Sequence, residues 1–257
     1  MSRGTIAAMG LPVATRACLF DLDGVLTDTA TVHAAAWKEM FDGYLRTRAQ
    51  DAGTPYEAFD VVADYDAYVD GKSRADGTRS FLGSRGIDLP AGGPSDRAGA
   101  PTIASLSAAK NAIVLRRIRE EGVEPYPGSV RFVRAVRSAG MLTAVVSSSA
   151  NCAEVLDAAG MTDLFEVRVD GLSVEAQHLA GKPAPDTYLA AARLLHVKPG
   201  EAAVFEDALS GVAAGRAGGF GIVVGVDRVG QAAELRSHGA DLVIADLAEL
   251  LSPGRSM

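Results

Sequence analysis

The sequence is poor in the residues that make disulfide frameworks and Cys/His metal sites. Its 257 residues include 2 cysteines and 4 histidines. Cys18 falls in an apolar run and Cys152 opens a helix, so both read as small core fillers and neither belongs to a bridged scaffold. Long apolar runs are missing too, which argues against a membrane span. The N-terminal stretch Met1 to Ala14 carries Arg3 as its one basic residue and no charged region followed by an apolar core. It is expected to be a short disordered lead, and the protein cytoplasmic. Positive charge is scarce: 25 Lys and Arg against 32 Asp and Glu give a net charge of −7. That balance disfavours nucleic acid and anionic membranes as partners. Any basic residues that bind an anion must therefore be few and placed locally. Apolar residues are plentiful, at 48%, enough for a full core. The length exceeds the usual single domain, so two domains, or one domain with an insertion, are expected.

The chain is organised around Phe20-Asp21-Leu22-Asp23-Gly24-Val25-Leu26-Thr27-Asp28-Thr29. The apolar run Ala17–Phe20 reads as a buried parallel strand leading into it. Asp21 and Asp23 then stand at the strand's C-terminal end, the edge where open α/β sheets place their chemistry. Spaced by two, they would point to one face of a regular strand, and Gly24 lets the chain turn sharply after them. Two converging carboxylates stay ionised only beside a cation or basic groups; otherwise one pKa rises. One outcome makes a metal site, the other a general acid.

Thr31 to Gln50 reads as a helix, with Trp37, Met40, Phe41, Tyr44 and Leu45 as its apolar stripe and His33 in its first turn. Ala52 to Asp60 is a loop and Val61 to Val69 helical. Asp70 to Gly77 is a Gly-bounded basic turn containing Arg74, followed by a short helix through Phe81 and Leu82. Leu89 to Pro101 is a Gly- and Pro-rich surface loop. Thr102 to Gly122 returns to helical period, with Lys110 and Asn111 in its middle. Residues 31–124 thus read as helices without a strand, whereas strands and helices alternate before and after. This break predicts an α/β fold with a doubly wound parallel-sheet (Rossmann-like) core, residues 1–30 and 125–257, and an inserted all-helical cap domain, residues 31–124.

In the second half Ser129 is a plausible cap of a helix closed by Gly140. Met141 to Val146 is a strand ending in Ser147-Ser148-Ser149-Ala150-Asn151, with a helix to Gly160. Val167 to Val169 is a short strand. Gly181-Lys182-Pro183 opens the helix Thr187 to Leu195, and Ala202 to Phe205 is a strand ending in Glu206-Asp207. Ser210 to Gly219, Gln231 to His238 and Leu247 to Leu251 read as helices, Gly221 to Val226 and Leu242 to Ile244 as strands. If the sheet is parallel, its polar strand ends converge. A serine at a strand-to-helix turn can hold phosphoryl oxygens, and a lysine between Gly and Pro offers a positioned charge. Four carboxylates offer an oxygen-only shell for Mg²⁺. Phosphoryl transfer needs this kind of positioning and charge stabilisation.

Read together, DLDGVLTDT, the strand-end Ser147, Lys182 and Glu206-Asp207 resemble, in order, the four motifs of the haloacid dehalogenase-like phosphotransferases. The closer resemblance is to the β-phosphoglucomutases. It rests on Asp28-Thr29 followed by His33 and Trp37, on Gly71-Lys72-Ser73-Arg74, on Lys110-Asn111 and on Ser147-Ser148-Ser149 with Asn151. It implies Asp21 as the nucleophile that becomes an aspartyl phosphate and Asp23 as general acid and base. It implies Ser147, Ser148, Asn151, Lys182, His33, Trp37, Arg74 and Lys110 as phosphate- and substrate-binding residues. Mg²⁺ would be held by Asp21, Asp23, Glu206 and Asp207, with Asp23 giving its backbone carbonyl. Those mutases usually have Lys where this chain has Ala150, and the cap is longer here at Asp51 to Asp60 and Leu89 to Pro101. The resemblance also implies a cis Lys182–Pro183 peptide and places Arg74 and Lys110 facing Asp21.

The function so implied is interconversion of β-D-glucose 1-phosphate and D-glucose 6-phosphate, with β-glucose 1,6-bisphosphate as intermediate and activator. The partner is a small sugar phosphate and the protein a monomer. The alternative is a Mg²⁺-dependent phosphatase of a small sugar phosphate, and a third class is a non-catalytic sugar-phosphate sensor. A second anion site in the cap separates the mutase from the phosphatase. Intact Asp21, Asp23, Lys182 and Asp207 argue against the sensor.

Overall fold

The computed structural model describes residues 9–93 and 100–251. Residues 1–8 of the expected lead and 94–99 of the Gly- and Pro-rich loop lie outside the described residues. The chain divides into two compact units, Met1–Asp28 with Val123–Met257, and Thr29–Gly122. No helix among the described residues is long and apolar enough to cross a membrane.

The first unit is built on six parallel strands: β1 (Ala17–Phe20), β2 (Leu142–Val146), β3 (Val167–Val169), β4 (Ala202–Glu206), β5 (Ile222–Val226) and β6 (Leu242–Ile244). Their spatial order is β3-β2-β1-β4-β5-β6. The chain leaves β1 in one direction to β2 and β3, then crosses to the other side of β1 for β4. The winding therefore reverses beside β1, and the crevice at such a reversal is where doubly wound sheets carry their sites. β1 is fully buried along its length, as a strand covered on both faces must be. Alternation assigns the faces. Leu19, Val146, Val204 and Val223 pack with Tyr188 in one cluster. Phe20 stacks on Phe205 with ring centroids 4.7 Å apart and meets Phe132 edge-on.

The helices of this unit include α4 (Pro127–Ser138), α5 (Cys152–Ala158), α6 (Gly171–Gln177), α7 (Asp186–Leu194), α8 (Leu209–Ala217) and α9 (Ala232–Ser237), and a 3₁₀ helix closes it at Leu247–Leu251. Three sequence expectations change. Ser129 does not cap α4, because the helix begins at Pro127, whose fixed φ suits a first helical position; the Ser129 hydroxyl instead donates to the Val25 carbonyl at 2.6 Å. α6 is an added helix. Asp170 caps it by accepting the Ser173 N–H at 2.9 Å, but its seven residues are too few to show a period. In the lead, Met9 and Leu11 are buried, so the lead is packed at those two residues, whereas Val13 is exposed.

The second unit contains α1 (Ala30–Ala52), α2 (Arg74–Ser84) and α3 (Ile103–Glu121). Trp37, Met40, Phe41 and Leu45 form its core with Phe59, Val69, Phe81, Leu82, Ile87 and Ile103. Val61 to Val69 is not helical throughout: residues 61–62 form a turn, and the helical stretch starts at Ala63 and closes as a π-helical turn at Tyr65–Val69. Asp60 explains the break, since its carboxylate accepts the N–H groups of Val62 and Ala63 at 2.8 Å and makes a turn there. The basic turn is shorter than expected, because Ser73 caps α2 by accepting the Asp76 N–H at 3.2 Å and Arg74 is the first helical residue.

Candidate active site

Register and alternation together bring the first acidic residue to its neighbours. Phe20 pairs with Phe205 across the β1–β4 ladder, so Asp21, one residue on, comes level with Glu206. Both follow the parity of Leu19 and Val204 and point to the face covered by α7. The Asp21 N–H continues the ladder to the Phe205 carbonyl at 3.0 Å. On that face Lys182 Nζ donates to Asp21 Oδ1 at 2.5 Å, to the Val146 carbonyl at 3.3 Å, and to Glu206 Oε1. The Lys182–Pro183 peptide is cis.

Glu206 is wholly buried, and its oxygens are engaged. Oε1 also accepts the Tyr188 hydroxyl at 2.8 Å, and Oε2 accepts the Ala208 N–H at 3.1 Å. Two glycines make room for the acidic groups. A β-carbon at Gly211 would overlap the Glu206 carboxylate, and one at Gly24 would overlap that of Asp207. Gly24 also has φ +84°, a conformation that glycine adopts without the steric penalty of a side chain.

Burial pushes the Asp21 carboxyl well above the usual range. Glu206 and Asp23 add to that shift, and Lys182 opposes it. For Lys182, burial works against the charge, but Asp21 and Glu206 more than offset it and hold the ammonium protonated. Tyr188 is pushed up by burial first and by Glu206 next. The result is a buried knot of two carboxylates and one ammonium, in which an uncompensated negative charge is costly.

β1 ends at Phe20, so strand alternation does not place Asp23. A tight turn does: the Leu22 carbonyl accepts the N–H groups of Leu26 and Thr27 at 2.9 and 3.0 Å, and Gly24 N–H donates to the Thr27 carbonyl at 2.8 Å. Asp21, Glu206 and Asp207 each offer an oxygen, all within 4.8 Å of one another. Hard oxygen donors in a small buried space suit a divalent cation such as Mg²⁺, so these residues fit that ion.

Ser147 follows β2 and is buried. Its N–H reaches the Val169 carbonyl at 3.0 Å, and its Oγ accepts the Ser149 N–H at 3.0 Å. Ser149 Oγ in turn accepts the Asn151 N–H at 3.1 Å. Ser148 lies in this turn, and Asn151 precedes α5. Asp21, Asp23, Ser147, Ser148, Asn151, Lys182, Glu206 and Asp207 thus belong to one unit, on the strand ends β1, β2 and β4 and the loop before α7. His33, Trp37, Arg74 and Lys110 belong to the other unit. There Lys110 is buried, with Nζ 3.0 Å from His33 Nδ1 and 4.9 Å from the Trp37 ring centroid. Arg74 opens α2, and burial lowers the pKa of its guanidinium.

Tyr188 is the site residue that sequence reasoning passed over. The available signal was a lone aromatic on an Ala-rich helix six residues after Lys182, which reads as core until its hydroxyl partner is seen.

The chain is similar to known proteins along most of its length. The model of the haloacid dehalogenase-like hydrolases matches residues 15–219. A β-phosphoglucomutase of Mycobacterium bovis is 56% identical over 246 residues, covering 95% of this chain and 94% of that one. A β-phosphoglucomutase of Bacillus subtilis is 29% identical over 243 residues, covering 91% of each. The crystal structure of a β-phosphoglucomutase from Clostridium difficile superposes with a TM-score of 0.71 at 25% identity, covering 92% of this chain and 93% of that one. The chain belongs to the haloacid dehalogenase-like hydrolase family and, within it, is an enzyme of the β-phosphoglucomutase-like isomerase type.

Proposed function

We propose that the protein interconverts β-D-glucose 1-phosphate and D-glucose 6-phosphate through an aspartyl phosphate on Asp21 and a β-glucose 1,6-bisphosphate intermediate. The observation that carries this reading is the Asp21–Lys182–Glu206 cluster at the reversal of the sheet, in a chain so similar to a β-phosphoglucomutase.

An Asp21 carboxylate oxygen attacks phosphorus of the bound phosphate ester, and the bond from phosphorus to the sugar oxygen breaks. Asp23 donates a proton to that oxygen as it leaves. In the second half-reaction Asp23 takes the proton from the attacking sugar hydroxyl and the Asp21–phosphorus bond breaks. One carboxyl can serve both directions because each half-reaction restores the protonation state the other needs. Lys182 holds the nucleophile, and Glu206 with Tyr188 anchors Lys182, so the ammonium stays aimed. Ser147 and the N–H groups of its turn bind phosphoryl oxygens, with Ser148 and Asn151 beside it. Mg²⁺, held by Asp21, Asp207 and the Asp23 carbonyl with Glu206 behind them, would supply positive charge that ionises Asp21 and offsets charge on the transferring group. In the cap, Arg74 and the Lys110–His33–Trp37 cluster are the cationic groups for the phosphate that is not transferred.

The test uses β-glucose 1-phosphate and Mg²⁺. Aspartyl phosphates hydrolyse, so the resting enzyme should be unphosphorylated and show a lag, which a trace of β-glucose 1,6-bisphosphate should abolish. Arg74→Ala should then reduce glucose 6-phosphate formation far more than hydrolysis of a small phosphate ester. Inorganic phosphate released in step with substrate loss, with no effect of bisphosphate, would make the protein a phosphatase and overturn the proposal.

A further inference from the structure

The loop between β5 and α9, which supplies none of the carboxylates, holds the backbone of both acidic motifs. Arg228 Nε donates to the Gly24 carbonyl at 2.8 Å, immediately after Asp23. Gln231 Nε2 donates to the Asp207 carbonyl at 3.1 Å. The loop is itself pinned. Asp227 Oδ1 accepts the Gly230 and Gln231 N–H groups at 2.7 and 2.8 Å, and the Asp227 N–H reaches the Ile244 carbonyl at 2.7 Å.

Arg228 is held from two further directions. Its Nη1 donates to the Ala245 carbonyl at 2.9 Å and lies 3.4 Å from Asp246. Its guanidinium carbon sits 3.7 Å from the centroid of the Tyr126 ring, a face-on stack. The Tyr126 hydroxyl donates to Asp28 at 3.1 Å. One planar side chain thus ties the turn after the first motif to the end of β6 and to Tyr126. Its side chain is 17% exposed, and the bond to Gly24, which is part-buried, is partly shielded from competing water.

We propose that Arg228, with Gln231, is a positioning residue for phosphoryl transfer: it fixes the Gly24 peptide so that Asp23 and Asp207 keep the spacing that the cation and the transferring phosphoryl group require. The coupling is steric as well as bonded. Gly24 lies so close to the Asp207 carboxylate that a β-carbon would not fit, so a rotated Gly24 peptide displaces Asp207. Arginine suits the task because its rigid fork reaches two carbonyls while its plane stacks on an aromatic ring, and lysine can do only one of these.

This proposal rests on the phosphoryl-transfer reading of the site. Its test compares the parent with Arg228→Met, Arg228→Lys and Gln231→Leu. The readouts are kcat and KM for β-glucose 1-phosphate, hydrolysis of p-nitrophenyl phosphate, and Mg²⁺ affinity by calorimetry on the phosphate-free protein. Groups that orient metal ligands typically change affinity or activity about 10–100-fold. Arg228→Met should therefore lower kcat about tenfold or more and weaken Mg²⁺ binding, while KM for the sugar phosphate stays within about twofold. Arg228→Lys should recover part of the loss, and Gln231→Leu should weaken Mg²⁺ binding with little change in melting temperature. If Arg228→Met does not fold, the Lys and Gln231 variants decide. Folded variants with parental Mg²⁺ affinity and kcat, or with a kcat loss that only follows a lowered melting temperature, overturn the proposal. A parent that binds no Mg²⁺ and turns over neither ester overturns the reading of the site itself.

Discussion

Lys182→Met removes the one cation in the knot and leaves two buried carboxylates facing each other. In the parent, Lys182 touches both Asp21 and Glu206, and its side chain is 1% exposed. Methionine fills a similar volume, so the loss is mainly of charge. Breaking a buried pair by deleting one partner costs about 3–5 kcal/mol. For a domain of this size that corresponds to roughly 6–20 °C in melting temperature. The pH dependence has a definite sign. The Lys182 pKa is raised on folding, so its stabilisation is fully present below the unfolded value near ~10.4 and is lost only in strong alkali. Across pH 5 to 8 its contribution is constant. The Asp21 carboxyl is raised by burial already, and loses its main lowering partner in the variant. A carboxyl raised on folding favours the folded state in acid, and that advantage falls as pH climbs from the unfolded value of about 4 toward the folded one. The deficit of Lys182→Met against the parent should therefore grow with pH once the parent's Asp21 ionises. Far-UV circular dichroism melts in chelator, run from about pH 5 to about pH 9, measure it. A variant melting within about 2 °C of the parent throughout, or a deficit that shrinks as pH rises, would refute the argument.

Asp21→Asn should reduce turnover below about one per cent of the parent, the weight of a covalent nucleophile. Its melting temperature should not fall, because a neutral amide replaces a carboxyl whose charge burial disfavours. Gly211→Ala places a methyl against the Glu206 carboxylate and should cost about 1–3 kcal/mol by overpacking, with a parallel loss of kcat. Gly43→Ala, where a β-carbon meets nothing within 4 Å, should gain about 0.5–1 kcal/mol of helix stability; equal melts for the two would contradict this. Asp42→Ala should cost about 1.5–3 kcal/mol by releasing the Phe59 N–H at 2.9 Å and Lys38 at 3.0 Å. Burial opposes the Asp42 charge, but the Phe59 N–H and Lys38 bonds win and its pKa is lowered. That stabilisation is present above the unfolded value and disappears as pH falls through the folded one, so parent and variant melts should converge in acid.

Much of the architecture is local and was open to reading from residues alone. Ala17-Cys18-Leu19-Phe20 is an unbroken apolar run before a Gly turn, and it forms a strand with those bounds. The stripe on α1 survives into the core because helical period and burial coincide there. Asp21, Lys182 and Glu206 were singled out by residue type at the ends of elements, and they meet in hydrogen-bond contact. What the sequence could not carry is whatever depends on register and on partners far along the chain. The level pairing of Asp21 with Glu206 follows from the β1–β4 ladder, which joins segments more than 180 residues apart. In sequence Tyr188 is a lone aromatic on a helix and Arg228 a charge in a loop; only the fold brings Glu206 beside the first and the Gly24 carbonyl and Tyr126 ring against the second. Propensity and period are properties of neighbours in sequence. A buried hydrogen bond is decided by which distant donor packing delivers, and only the folded chain contains that information.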